Sequence, residues 1–185
     1  MEQVVLDTVR EILAGPTVAR GAPALDELTG TYATPFGVLR LDEEVERALR
    51  YRHSLSCFVL EIDQLVEVNQ DHGNARGDRV LQDVGTILRH AVRASDLVCR
   101  LDAQRFLLIT PRLEAPAAEA LAERLRQRVA RHRFPVPGGT ALSVTASIGV
   151  ARVGSDPVDA VILVHRALDA LEAARAAGGN RLALG

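Results

Sequence analysis

Every side-chain cation in this 185-residue chain other than histidine is an arginine; the 22 basic residues include no lysine. A guanidinium is planar, permanently charged and donates in pairs, so it suits carboxylates, phosphates and the polar edges of bases. A coding bias toward Arg and Ala explains the same composition without any function. The arginine whose setting is closest to ligand chemistry is Arg93, three residues before Asp96. There a fork that donates twice stands beside a carboxylate that accepts. Read locally, the same two residues are a cation at a helix end and an acid opening a strand, joined as an ion pair. Other candidates are poorer. His53, His72, His90, His132 and His165 share no metal-ligand spacing with each other or with Cys57 and Cys99. Ser143, Thr145 and Ser147 alternate along one segment without a His/Asp frame, so no nucleophile is implied. Cys57 and Cys99 lie in apolar runs outside any CxxC pattern and read as buried, reduced thiols.

These residues need a scaffold, and the hydrophobic pattern supplies one. Residues 4–14 place Val5, Val9, Ile12 and Leu13 on one helical face. The stretch from Gly15 to Pro23 then breaks the helix. The expected organisation is an amphipathic helix and linker over residues 1–24 and a globular domain over 25–185. The helix cannot hide its stripe alone, so it packs on its own domain or on a partner chain. Further helices are predicted over Phe36 to Arg52, over Ala115 to His132, and over Pro157 to Ala176, the last opened by its proline; a helical turn follows the first strand, then the segment Gly73 to Asp78 and a long helix to about Val92. Strands are predicted at Leu55 to Ile62, Asp96 to Leu101, Arg105 to Pro111, Leu142 to Val153 and Arg181 to Leu184. The second and third are close enough to form a hairpin whose tip is Asp102-Ala103-Gln104. The expected class is α+β: a mostly antiparallel sheet of about five strands flanked by helices.

Composition narrows the function classes. The chain is 48% hydrophobic and 25% charged, with a formal net charge of −2. It is long enough to bury a core without disulfide or metal staples. Near-neutral charge argues against a dedicated nucleic-acid partner. The apolar runs are too short for membrane insertion. The acidic start and reduced cysteines lead us to expect a cytoplasmic protein.

Several segments in order resemble a GGDEF domain, the diguanylate cyclase family that condenses two GTP into cyclic di-GMP. They are Asp26-Glu27-Leu28-Thr29-Gly30, Glu61-Ile62-Asp63, Asn69 with His72-Gly73 and Gly77-Asp78, Arg93-Ala94-Ser95-Asp96, the Ser143 to Ala151 strand, and Gly178-Gly179-Asn180-Arg181. The resemblance covers about Asp26 to Leu184. It is to a degenerate member, because the signature that names the family is replaced by Asp102-Ala103-Gln104-Arg105-Phe106. The resemblance implies a metal-holding carboxylate at the position of Gln104 and a second acid at that of Arg105. Asp102 and Ala103 put side chains where two glycines would let substrate approach. The family's first metal aspartate corresponds to Glu61, still acidic but one methylene longer. The phosphate-binding lysine after that strand corresponds to Val66, the preceding Phe to Leu65, and the Asn of the opening stretch to Ala33. The lysine of the last helix corresponds to Arg175, and the arginine after it to Gly179. Metal-assisted phosphoryl transfer depends on the ion for much of its barrier lowering. The expectation is therefore a catalytically inactive domain with no metal and no cofactor.

Other family positions survive. Asn69 and Asp78 match the residues that hydrogen-bond guanine, which implies weak, unproductive nucleotide docking. Locally, Asn69 ends a helical turn and Asp78 favours the first turn of a helix. Arg93 and Asp96 stand where the family has its inhibitory site for cyclic di-GMP, with Arg124 as the supporting cation and Ala120 in place of a further arginine. There the fork suits the guanine O6/N7 edge and the acid accepts from its N–H groups. Three functions follow: a cyclic di-GMP receptor, a ligand-free scaffold that binds a protein partner or homodimerises through the N-terminal helix, and a residual GTP sensor using Asn69, Asp78 and Arg175.

Overall fold

The computed structural model describes residues 2–15, 24–136, 139–154 and 158–185. The linker expected over residues 16–23 and the proline at position 157 lie outside these. Five strands form one sheet: β1 (Leu55–Ile62), β2 (Leu97–Arg100), β3 (Arg105–Pro111), β4 (Ala146–Arg152) and β5 (Leu182–Leu184), in the order β2-β3-β1-β4-β5. All pairings are antiparallel except β4 with β5. Six helices accompany them: α1 (Glu2–Ala14), α2 (Thr34–Tyr51), α3 (Leu65–His72), α4 (Asn74–Ala91), α5 (Ala115–Arg131) and α6 (Ala160–Ala176).

The helices cover both faces of the sheet, and this explains why β1 is buried along its length and mostly apolar rather than alternating. Its odd residues Leu55, Cys57 and Val59 join a core with α1, α2 and α6. Its even residues Phe58, Leu60 and Ile62 join a second core with α3, α4 and α5. A central strand covered on both sides has no solvent face to make polar. Helix α6 packs tightly on β4. A Cβ on Gly149 would stand inside the van der Waals shells of the Ala167 carbonyl and the Leu171 amide, so only glycine fits.

Three boundaries differ from the sequence expectation. The strand expected from Leu142 begins at Ala146. Leu142 instead makes an isolated bridge to Phe134, which takes the preceding segment out of the ladder. The last helix begins at Ala160, where the Asp159 carboxylate accepts from the Ile162 N–H at 2.7 Å and caps the first turn. Asp78 falls in the second turn of α4, because the helix starts at Asn74; the first-turn reading of that acid is corrected. The apolar stripe of α1 (Val5, Leu6, Val9 and Ile12) is buried against α2 and α6 of its own chain. Gln3, Asp7, Arg10 and Glu11 face outward with one exposed large apolar residue, Val4, at 68%. No helix among the described residues is long and apolar enough to cross a membrane.

Candidate functional site

The β2–β3 hairpin tip holds its own polar groups. The Asp102 carboxylate accepts from the N–H groups of Gln104 (3.0 Å) and Arg105 (2.9 Å). This is the local turn chemistry that aspartate favours. Arg100 clamps the same turn from outside. Its Nε donates to the Asp102 carbonyl at 3.0 Å, its Nη2 to the Ala103 carbonyl at 3.2 Å, and its Nη1 lies 3.4 Å from Asp26. Burial opposes ionisation of Asp26, but hydrogen bonds from Thr29 and the Arg100 charge outweigh it and hold its carboxyl below the usual range.

Behind the tip, β1 and β3 set Glu61 directly opposite Arg105. The Arg105 side chain is 0% exposed and that of Glu61 4%, and Arg105 Nε donates to Glu61 Oε2 at 2.6 Å. The other Glu61 oxygen faces Arg175 Nε at 3.0 Å, and Arg175 Nη1 reaches Glu172 at 2.7 Å. Burial would depress Arg175, yet Glu61 and Glu172 hold it above the ordinary guanidinium value. Arg105 Nη1 and Nη2 are buried without a hydrogen-bond acceptor, Nη1 lying 3.5 Å from Asp102 Oδ2. Asp63 is equally occupied. It accepts from Thr145 Oγ1 (2.6 Å), Ser147 Oγ (2.8 Å) and the Asn180 N–H (3.0 Å). A cavity of about 380 Å³ opens over Glu61, Asp63, Gln64, Thr145, Arg175, Gly178 and Gly179.

The divalent cation implied by the resemblance does not fit this arrangement. Hard cations need several free anionic oxygens. Here both oxygens of Glu61 face guanidinium nitrogens, those of Asp63 accept three donors, and a positive charge is buried beside them. Phe106, the one signature residue kept, is buried in the core and pairs with Leu60.

The guanine positions lie on α3 and α4 and are not among the residues that line this cavity. Asn69 is half-buried; its Oδ1 has no hydrogen-bond partner and occupies the space that a Cβ on Gly77 would need. Asp78 is exposed one residue further on. Val66, at the phosphate position, is 54% exposed. Ala33 lies elsewhere, in a cavity of about 290 Å³ beside the hairpin tip with Asp26, Arg100 and Asp102.

Arg93 and Asp96 line a third cavity of about 300 Å³, but they do not form the expected side-chain ion pair. Asp96 accepts from the backbone N–H of Arg93 at 2.9 Å and from Ser95 Oγ at 3.2 Å. The Asp96 N–H returns to the Arg93 carbonyl at 3.0 Å, so this is a turn that leaves the Arg93 guanidinium exposed. Arg124 is not a lining residue; its Nη2 donates to the Ala91 carbonyl at 3.0 Å and ties α5 to the end of α4. The cation that does line the cavity with Arg93 is Arg89, in the last turn of α4. Sequence reasoning passed over it, because Arg89 stands outside the RxxD pattern. The only signal was a cation in the last turn of the helix leading to that pattern.

Helices on both faces of a β2-β3-β1-β4-β5 sheet, with a hairpin tip beside a charged cleft, define a nucleotide-cyclase-like domain. Residues 23–181 match the family described as diguanylate cyclase, GGDEF domain, and the chain belongs to that family. Response regulator PleD of Caulobacter vibrioides is 33% identical over 156 residues, 84% of this chain and 34% of that protein. Diguanylate cyclase DgcP of Pseudomonas aeruginosa is 35% identical over 158 residues, 85% of this chain and 23% of that protein. The chain thus spans about a third or less of the length of these curated relatives. Diguanylate cyclase SiaD of Pseudomonas aeruginosa, solved with its activator SiaC, superposes with a TM-score of 0.84 at 30% identity over 99% of this chain and 70% of that one. The GGDEF domain of DgcB from Caulobacter crescentus, solved with c-di-GMP, has the same fold (TM-score 0.84, 23% identity, 89% and 97% coverage).

Proposed function

We propose that this chain is a catalytically inactive, regulatory GGDEF domain of bacterial cyclic di-GMP signalling, which binds the dinucleotide through Arg93 and Asp96 instead of making it. The observation that carries the inactive half is the buried Glu61–Arg105 pair. Phosphoryl transfer between two triphosphates needs positive charge delivered to the phosphates and free to follow the developing negative charge. Arg105 and Arg175 are positive, but both are paired to Glu61 and Arg175 to Glu172 as well, and Arg105 has no exposed surface. The receptor half is supported by an exposed guanidinium beside an oriented carboxylate in a cavity of small-ligand size. The solved DgcB domain with c-di-GMP makes the same ligand chemistry reasonable for this fold.

Two measurements test this. Incubation with GTP and magnesium followed by chromatography is expected to give no cyclic di-GMP; any product overturns the inactive reading. Calorimetric titration with cyclic di-GMP is expected to give binding that Arg93→Ala abolishes; no heat from the unmodified chain ends the receptor reading.

A protein partner is the second reading, favoured by the SiaD structure with its activator SiaC, which is similar over nearly all of this chain. Because α1 covers its stripe internally, a homodimer or partner complex through that helix would use the polar face carrying Asp7, Arg10 and Glu11. Light scattering on the full chain and on residues 25–185 tests it; equal association states count against it. Residual GTP sensing through Asn69, Asp78 and Arg175 is the third reading, favoured by the unpartnered Asn69 Oδ1.

A further inference from the structure

Arg50, Arg52, Arg112 and Arg152 are exposed at one end of the sheet, brought there by the strand registers. Arg50 and Arg52 stand at the end of α2, just before β1. Arg112 follows β3 and donates its backbone N–H to the Ser54 carbonyl at 2.7 Å. Arg152 ends β4 opposite Ser56. This is the end away from the hairpin tip: Leu55 and Glu61 are six residues apart on β1, about 20 Å along a strand. Among the described residues none of the four guanidiniums makes an ion pair or donates a hydrogen bond, whereas Arg40 and Arg47, earlier on α2, are paired with Glu43 and Glu44 of that helix.

Two of the four also sit on a strained backbone. Arg52 has φ +52° and Arg112 φ +57°, the left-handed region that glycine adopts most easily. An arginine there costs backbone energy that a glycine would not, and what it retains is a guanidinium at this edge. Beside Arg52 lies a cavity of about 510 Å³ whose apolar lining is Ala48, Leu49 and Val153 and whose polar lining includes His53 and a single acid, Glu114. Leu49 is 46% exposed, and Tyr51 at the end of the same helix is 68% exposed.

We propose that this end of the sheet is a docking surface for an acidic segment of a partner protein, one apolar side chain entering the cavity and flanking carboxylates meeting the arginines. It goes beyond the readings above, since it needs neither the dinucleotide nor the outer face of α1. Its cavity shares no lining residue with those at Glu61 and Arg93. Charge complementarity selects an anionic partner, because four arginines without internal carboxylates face one acid. A carboxylate meets a guanidinium fork with both oxygens. The cavity then selects among anionic partners. It is concave and partly apolar, so it receives a protruding aliphatic or aromatic side chain, which neither a phosphate backbone nor a layer of lipid headgroups presents.

The test is a synthetic hexapeptide array probed with the labelled full chain. It carries an all-glutamate peptide, glutamate peptides with one leucine or phenylalanine scanned through them, and the same set with lysine for glutamate. Glutamate peptides with the apolar residue are expected to bind about tenfold or more tightly than the all-glutamate peptide and the lysine set. Two altered chains locate the site. Arg52→Gly with Arg112→Gly suits the left-handed backbone, and Arg50→Gln changes only an exposed side chain, so both are expected to fold, which thermal melting checks. The double variant is expected to weaken the preferred peptides about tenfold and Arg50→Gln about threefold. Equal binding by the all-glutamate peptide would show a surface that reads charge alone and overturns the proposal. So does binding unchanged in both altered chains, or no binding on the array. Vesicles of equal parts phosphatidylcholine and phosphatidylserine and a single-stranded oligonucleotide are run beside it. Tighter binding of either, lost with the arginines, assigns the patch to a membrane or a nucleic acid and overturns the proposal as well.

Discussion

Glu61 on β1 and Arg105 on β3 are direct cross-strand neighbours, and their buried side chains meet at 2.6 Å. Either charge alone would be expensive at this depth, and each makes the other tolerable. Arg175 completes the arrangement from α6. Three residues from three elements thus meet where the resemblance implies a metal, one carboxylate held between two guanidiniums.

Arg105→Ala is expected to destabilise the fold by about 3–5 kcal/mol, because it leaves Glu61 buried with only Arg175 opposite. Replacing both partners, as in Glu61→Leu with Arg105→Met, is expected to restore most of that loss, since two matched apolar groups need no counter-charge. Urea midpoints of the single and double variants decide the matter. A double variant no more stable than the single would show that the pair is not what Arg105 is for.

Magnesium is expected to leave the melting temperature of the unmodified chain unchanged, because a ligand stabilises only when it binds the folded state. A concentration-dependent rise would mean a cation seated against Glu61 or Asp63 despite the guanidinium groups.

Gly149→Ala is expected to cost about 1–3 kcal/mol or more, since the added methyl meets backbone atoms of α6 and not a side chain that can swing away. Thermal unfolding reads this directly; a neutral variant would contradict the close approach of α6 to β4.

Acid should weaken the fold through two carboxyls and strengthen it through a third. Hydrogen bonds from Arg126 and Gln127 lower Glu123 to about 2, against an ordinary 4.5. Asp26 is also held below its usual value. For both, the folded state binds its proton later than the unfolded chain, so their stabilisation is present above the unfolded value and disappears as pH falls through the folded one. Asp42 is opposite. Burial, then the charges of Glu46, Asp159 and Glu43, raise it above 3.8, so its ionised form disfavours folding at neutral pH. Asp42→Asn is expected to raise the neutral-pH melting temperature and Glu123→Gln to lower it slightly, the latter effect vanishing near pH 2. Melting curves from pH 2 to 7 check both signs.

Cys57 and Cys99 are buried, and burial pushes the Cys57 thiol up to about 12 and Cys99 up as well. A thiol reagent at neutral pH is expected to label neither residue in the folded chain and both after denaturation. Rapid labelling of the native protein would mean that the strands carrying them open readily.

Much of this architecture is written in short-range pattern. The apolar run from Cys57 to Leu60 in β1, the short gap between β2 and β3 and the 3.6-residue stripes of α1 and α2 each follow from burying one face or two, and neighbours in sequence reveal that. Boundaries set by distant contacts were less legible. The bridge from Phe134 to Leu142 delays β4, and the Asp159 cap sets the start of α6.

What the sequence determined by itself is which chemical groups are present: a guanidinium at the fourth signature position, an acid at Glu61, an arginine three residues before an acid. What only the tertiary structure decided is which of those groups meet. Glu61 and Arg105 are 44 residues apart and become partners through the β1–β3 register. Arg124 is spent on a helix end while Arg89 reaches the cavity, because the 24–32 loop folds over α4 and not over α5. Local periodicity fixes the direction in which a side chain leaves its own element, whereas its neighbours are fixed by the packing of elements distant along the chain.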